Sequence, residues 1–233
     1  IFAANPVFAG TTLVTRETGV KTVGLSHGHY GYRRIAETIG IDPDAVTWQA
    51  PGLNHNIWLT HFIYEGEDAY PLIDAWIENE GPDYWREHEA TGTHDAQMSK
   101  AACHQYRMYG LFPIGDTPRR GGWWYHTDKE TKLRWFFEPW GGPDTHEARA
   151  VTRKSKDERI ARMAEMASDP DASLLEFFGG KQTREQHISI IDGLVNDNEY
   201  RAQVNVPNRG ALPGVPDDVA VEVPAVVNRK GIL

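Results

Sequence analysis

Apolar positions along the chain come in short runs whose period changes repeatedly from about two to about 3.6, the signature of interleaved strands and helices. Residues 22–26 (TVGLS) form a β-prone run, and residues 28–40 after it carry helical spacing at Ile35, Ala36 and Ile39, which predicts a strand-loop-helix unit. Residues 46–50 and 57–64 are rich in β-branched and aromatic side chains and flank the turn-like PGLNHN, so two strands are expected around a loop that carries Asn54 and His55. Pro71 falls in the first turn of residues 68–80, where a missing N–H costs little, and Leu72, Ile73 and Trp76 recur at helical spacing. A further helix is predicted over 97–109, stopped by Gly110 ahead of the polar loop GDTPRRGG. Residues 147–167 are charged and helix-favouring, and residues 183–199 open on a capping box of Thr183 and Gln186. In that last helix Ile188, Ile191, Leu194 and Val195 are expected to form one buried stripe. Residues 202–206 and 219–223 then alternate as strands around NRGALPGVPDD. Nothing repeats, and no linker marks a boundary, so one domain over 1–233 is expected.

Composition narrows the partners rather than the fold. A formal charge of −9, with acids and bases interspersed, argues against nucleic acid or an anionic membrane and for a small molecule or a protein. The sequence offers no apolar run long enough to span a bilayer and no export signal, and its single cysteine, Cys103, suits a reducing cytosol, so a cytoplasmic protein is expected.

Candidate chemistry clusters at loops. LSHGHY places Ser26, His27 and His29 just past a predicted strand, where sites of α/β proteins commonly form; residue types alone favour ordinary polar loop residues. His55 stands in a loop without a zinc-type cluster around it, since HExxH and close Cys/His groupings are absent from the sequence. The stretch FPIGDTPRRGGWWYH gathers Asp116, Arg119, Arg120, Trp123, Trp124, Tyr125 and His126, the mixture of aromatic faces and charges that grips sugars. A surface loop followed by a core strand would explain the same residues.

Taken in order, AANP, VGLSHG, APGLNHNIWL, FPIGDTPR and NRGALPGVPDDVAVEVPAVV resemble successive motifs of the family 4 glycoside hydrolases, the NAD- and metal-dependent glycosidases, over almost the whole chain. The resemblance implies an α/β fold, the α+β catalytic part of a lactate/malate dehydrogenase-like glycosidase, with mixed sheets and flanking helices. It begins beyond the family's N-terminal Rossmann domain, so a single catalytic, sugar- and metal-binding domain without the NAD-binding domain is expected. Residue by residue it implies Asn5, Asn54 and Arg119 as sugar contacts, His55 as a metal ligand, His27 as a general acid and Asp116 as a base. A family tyrosine is the competing base. Ser26 stands where the family has a cysteine ligand, and a neutral hydroxyl is a far weaker donor than a thiolate.

The cofactors implied are NAD and a divalent metal, manganese first. The reaction implied is oxidation at sugar C3, elimination of the C1 oxygen and addition of water, a departure from the usual carboxylate pair of glycosidases. Its substrate would be an α-linked, non-phosphorylated glycoside, with Arg119 and Arg120 suited to an acidic sugar. A Rossmann-bearing partner chain and a homo- or hetero-oligomer are expected. The alternative is a catalytically silent sugar-binding or assembly subunit of the same fold.

Overall fold

The computed structural model describes residues 1–88, 97–120, 128, 130, 135, 146–179 and 184–233. Its first part holds α1 (Val7–Glu17), α2 (Gly31–Thr38), β1 (Val46–Gln49), β2 (Gly52–Leu53), β3 (Asn56–Leu59), β4 (His61–Tyr64), β5 (Glu67–Asp68), α3 (Tyr70–Asn79) and α4 (Gly81–Glu87). After these come α5 (Lys100–Tyr109), β6 (Phe112–Ile114), α6 (Thr117–Arg120), α7 (His146–Ala167), α8 (Leu174–Phe177), α9 (His187–Asn196), β7 (Tyr200–Pro207), β8 (Ala220–Asn228) and β9 (Gly231–Ile232). Helices and sheets alternate as expected, and no helix among the described residues is long and apolar enough to cross a membrane.

Local chemistry explains several boundaries. Pro71 lies in the first turn of α3, and α5 begins where Ser99 Oγ accepts a hydrogen bond from the Ala102 N–H at 3.2 Å. Such a cap stabilises a helix by about 1 kcal/mol. Gly110 closes α5 in the left-handed conformation, φ 74°, which glycine adopts without a Cβ penalty.

Two antiparallel sheets result among the described residues. The smaller has the order β1-β4-β5; the larger runs β6-β3-β2-β8-β7, with β9 beside β8. The two halves of the large sheet meet at the pairing of Gly52 with Glu222. Ile57, Leu59, Phe112 and Ile114 of β3 and β6 are buried with Ile35, Ile73 and Met98, while Val204 and Val227 of the other half pack with Val23, Leu25 and Ile190. Burial of each large apolar side chain is worth about 1.5 to 3 kcal/mol. Tyr70 bridges two strands of the first group, its hydroxyl donating to Leu59 O at 2.6 Å and accepting from the Phe112 N–H at 3.0 Å.

Three expectations need correction. The run 57–64 is two strands in different sheets, because the chain breaks at Thr60, whose N–H turns to Gln49 O at 2.9 Å. Residues 22–26 make only single bridges, Gly24 to Phe2 and to Asn205, rather than a strand. Finally, α9 buries Ile190 and Gly193 and leaves Ile188, Ile191, Leu194 and Val195 exposed. The missing side chain at Gly193 decides this: a Cβ there would lie 3.1 Å from Val227 O, so the helix approaches β8 on its small-residue side. Thr183, half of the expected capping box, lies outside the described residues, and the Gln186 side chain bonds Gln203 instead of capping α9.

Candidate functional site

The connection from β2 to β3 consists of Asn54 and His55 alone, since Gly52 pairs with Ile57 and Leu53 with Asn56. So short a reversal demands a left-handed residue, and His55 supplies it at φ 64°. Gly52 permits the close return, for a Cβ there would stand 2.2 Å from Asn56 O. The turn directs the His55 ring at Asp116, with Nδ1 2.8 Å from Oδ2 and the two side chains 30% and 19% exposed.

Asp116 follows β6 on a loop fixed from three sides. Buried Thr117 accepts from the Ile57 N–H at 2.8 Å and donates to Ile57 O at 2.9 Å, tying the loop to the strand after His55. Buried Gln97 donates to Pro113 O at 2.7 Å and accepts from the Gly115 N–H at 2.8 Å. Gly115, at φ 62°, approaches the loop of residues 26–28 so closely that a Cβ would lie 2.5 Å from Gly28 Cα. The backbone beside Ser26 and His27 therefore abuts the backbone beside Asp116.

Ser26 is half-buried, three residues before His29. His29 is buried against Trp48, the rings stacked 5.5 Å apart, and burial, helped by the charge of nearby His27, lowers its pKa from 6.5 to about 3. Unfolded His29 titrates near 6.5, so below that pH the unfolded chain binds a proton that the folded one refuses. Stability due to this group is complete above pH 6.5 and falls as pH drops toward 3, by up to about 4 kcal/mol. Denaturant titrations at stepped pH should show that slope, and His29→Gln should flatten it; an equal slope in the variant would assign the acid sensitivity to other groups.

His27 stands at the start of the Gly28–Tyr30 turn, with Nε2 2.7 Å from Glu185 Oε1. Glu185 also meets His187 Nδ1 at 3.3 Å, and the Tyr30 hydroxyl donates to Arg184 O, so residues 184–187 lie along this turn. Asn54 Nδ2 donates to Glu222 Oε2 at 2.9 Å. Asn5 is exposed, in the bend between the Phe2–Gly24 bridge and α1. Arg119 and Arg120 close α6, but their side chains lie outside the described residues, as do Trp123, Trp124, Tyr125 and His126.

The fold thus joins His55 to Asp116 directly, sets the 26–28 loop against Gly115, and commits one amide nitrogen of Asn54 to Glu222. Sequence reasoning missed Gln97, Thr117, Glu185 and Glu222. Only Glu222 left a signal, a carboxylate interrupting the apolar run VAVEVPAVV. A carboxylate on Nδ1 fixes the imidazole tautomer and leaves Nε2 for a metal or a proton, the arrangement usual for metal-bound histidines. The rest of the donor set is sparse: no group of three or more His, Cys, Asp or Glu suited to a metal occurs among the described residues.

The model of the family 4 glycosyl hydrolase C-terminal domain matches residues 50–233. The chain is similar to the alpha-galactosidase of Rhizobium meliloti strain 1021, 24% identical over 98% of this chain and 45% of that protein. It is also similar to the alpha-galacturonidase of Lachnoclostridium phytofermentans, 26% identical over 91% of this chain and 46% of the other. Among solved structures, a 6-phospho-alpha-glucosidase from gut microorganisms in complex with NAD and Mn2+ shares the fold with a TM-score of 0.66 at 18% identity, covering 98% of this chain and 50% of that one. The chain spans about half the length of the relatives it matches.

Proposed function

The chain belongs to family 4 of the glycosyl hydrolases, matched over the C-terminal domain of that family, and from that membership we propose that it is the sugar- and metal-binding part of an NAD- and manganese-dependent glycosidase. The observation that carries the reading is His55, held by Asp116 so that its second ring nitrogen is left for a metal. Its substrate is an α-linked, non-phosphorylated glycoside. Relatives described as alpha-galactosidases and alpha-galacturonidases support the linkage and the free sugar.

On this reading His55 and, more weakly, Ser26 would hold manganese. Bound NAD supplies reversible oxidation of the sugar, and the metal supplies positive charge beside the oxidised carbon. Asn5 and Asn54 orient hydroxyls, and Arg119 receives an acidic group on the sugar. His27, drawn toward Glu185, gives its proton to the departing glycosidic oxygen. Asp116 is both the anchor of His55 and a candidate to take the C2 proton. The cytoplasm, a Rossmann-bearing complement and an oligomeric assembly belong to the same proposal.

The test is turnover of aryl α-galactoside, α-glucoside and α-galacturonide by the full protein with NAD, Mn2+ and a reductant. Cleavage that needs both cofactors is expected; cleavage indifferent to their removal would sink the mechanism. A silent sugar-binding subunit is the second reading, favoured by Ser26, and it predicts sugar binding without turnover. Ser26→Cys separates the two further. A thiolate in place of a neutral hydroxyl should tighten Mn2+ binding by at least about tenfold, measured by titration, and no gain would place Ser26 outside the metal shell.

A further inference from the structure

Glu222 is 1% exposed in the middle of the large sheet. Its Oε2 receives Asn54 Nδ2 at 2.9 Å, with Asn205 Nδ2 at 3.4 Å, and its Oε1 is buried without a hydrogen-bond donor among the described residues. An apolar side chain at this strand position would be cheaper, because a buried carboxyl loses its hydration and an unmatched oxygen costs about 1 to 3 kcal/mol. Burial pushes its carboxyl above the ordinary carboxylate range, against the pull of the Asn54 hydrogen bond. Core packing alone therefore gives no reason for a carboxyl here, and its best hydrogen bond leads to the site.

We infer that Glu222 is the positioning residue of His55, acting through Asn54; the inference rests on the reading of His55 as the metal-holding residue. The β2–β3 hairpin has two paired positions and no length with which to hold its own turn. Its link to the second half of the sheet is Gly52 opposite Glu222, the same residue that holds Asn54. Asn54 and His55 together are the whole turn, so a tether on the first limits how far the second can shift, and Asp116 restricts its ring. Two carboxyl groups act on one turn, since Glu222 fixes where it stands and Asp116 fixes how the ring faces. This division puts a positioning group on β8, in the motif VAVEVPAVV, far along the chain from the residue it serves.

The experiment is a double-mutant cycle on the full chain with Glu222→Ala, Asn54→Ala and their combination, and Glu222→Gln as the conservative variant. The readouts are Mn2+ affinity by titration and the rate at which diethyl pyrocarbonate modifies His55, located by peptide mass spectrometry. Each alanine variant should weaken Mn2+ by about tenfold, the usual loss on removing a group that orients a ligand, and should raise the modification rate of His55. The double variant should do no more than either single one, because both break the same connection. Glu222→Gln keeps an acceptor for Asn54 and should stay within about twofold of the parent. Effects that add fully, or a parental His55 rate in Asn54→Ala, would overturn the inference; the second outcome decides it even if Glu222→Ala does not fold. If the parent protein binds no Mn2+, the metal reading fails by itself, and the His55 rates still decide whether Glu222 sets the turn.

Discussion

Glycine in place of His55 is expected to abolish the Mn2+-dependent glycoside cleavage proposed for this protein, with a loss of at least about a hundredfold, while leaving the fold nearly as stable as before. The choice of glycine matters because His55 occupies the left-handed region at φ 64°. Alanine there would lose the same activity but keep the Cβ that His55 already holds against the following carbonyl, so it should be about 1 kcal/mol less stable than the glycine variant. Comparing the two variants by denaturant unfolding and by assay with NAD and Mn2+ therefore separates the chemistry of the ring from the geometry of the turn. Activity within a few fold of the parent in His55→Gly would place the metal elsewhere.

A second large effect should come from a residue that touches no substrate. Gly115→Ala puts a Cβ 2.5 Å from Gly28 Cα and 2.7 Å from Gly28 O, where backbone meets backbone and no side chain can swing aside. At φ 62° the conformation is itself unfavourable for alanine. The sum should be about 3 kcal/mol or more of lost stability, and the surviving folded protein should have its 26–28 and 115–116 loops driven apart, with cleavage falling in step. Gly40→Ala is the control, because Gly40 has φ 79° but nothing within 4 Å of a built Cβ. It should cost about 1 kcal/mol and leave cleavage unchanged. Equal melting temperatures for the two variants would show that the Gly28 contact is loose in solution.

These expectations lean on features that the sequence disclosed unevenly. Helices α3, α5 and α7 were legible because their signals are local: Pro71 in a first turn, Gly110 at an end, and a long charged stretch without breakers; the start of α5 at Ser99, rather than at residue 97, emerged only from the structure. The buried face of α9 was not, because four large aliphatics outvoted one glycine in the pattern, whereas close approach to Val227 is what the packing rewards. The break at Thr60 was equally hidden, since both halves of 57–64 are β-prone and only their partners differ. At the site, His55 and Asp116 could be nominated through family motifs, but their 2.8 Å contact depends on Thr117 and Gln97, whose roles exist only once β3 and β6 lie side by side.

The same long reach has a kinetic side. The Asn54–Glu222 bond joins residues 168 apart and the Ile57–Thr117 bonds join residues 60 apart, so the turn that carries His55 is assembled from contacts of high order. Closing such loops costs entropy before any contact repays it, and chains dominated by distant pairings fold slowly. Helical signal will return early on dilution from denaturant, built from neighbours within single helices. Competence at the His55 turn will lag behind it, since β8 must first find a hairpin from the opposite end of the chain.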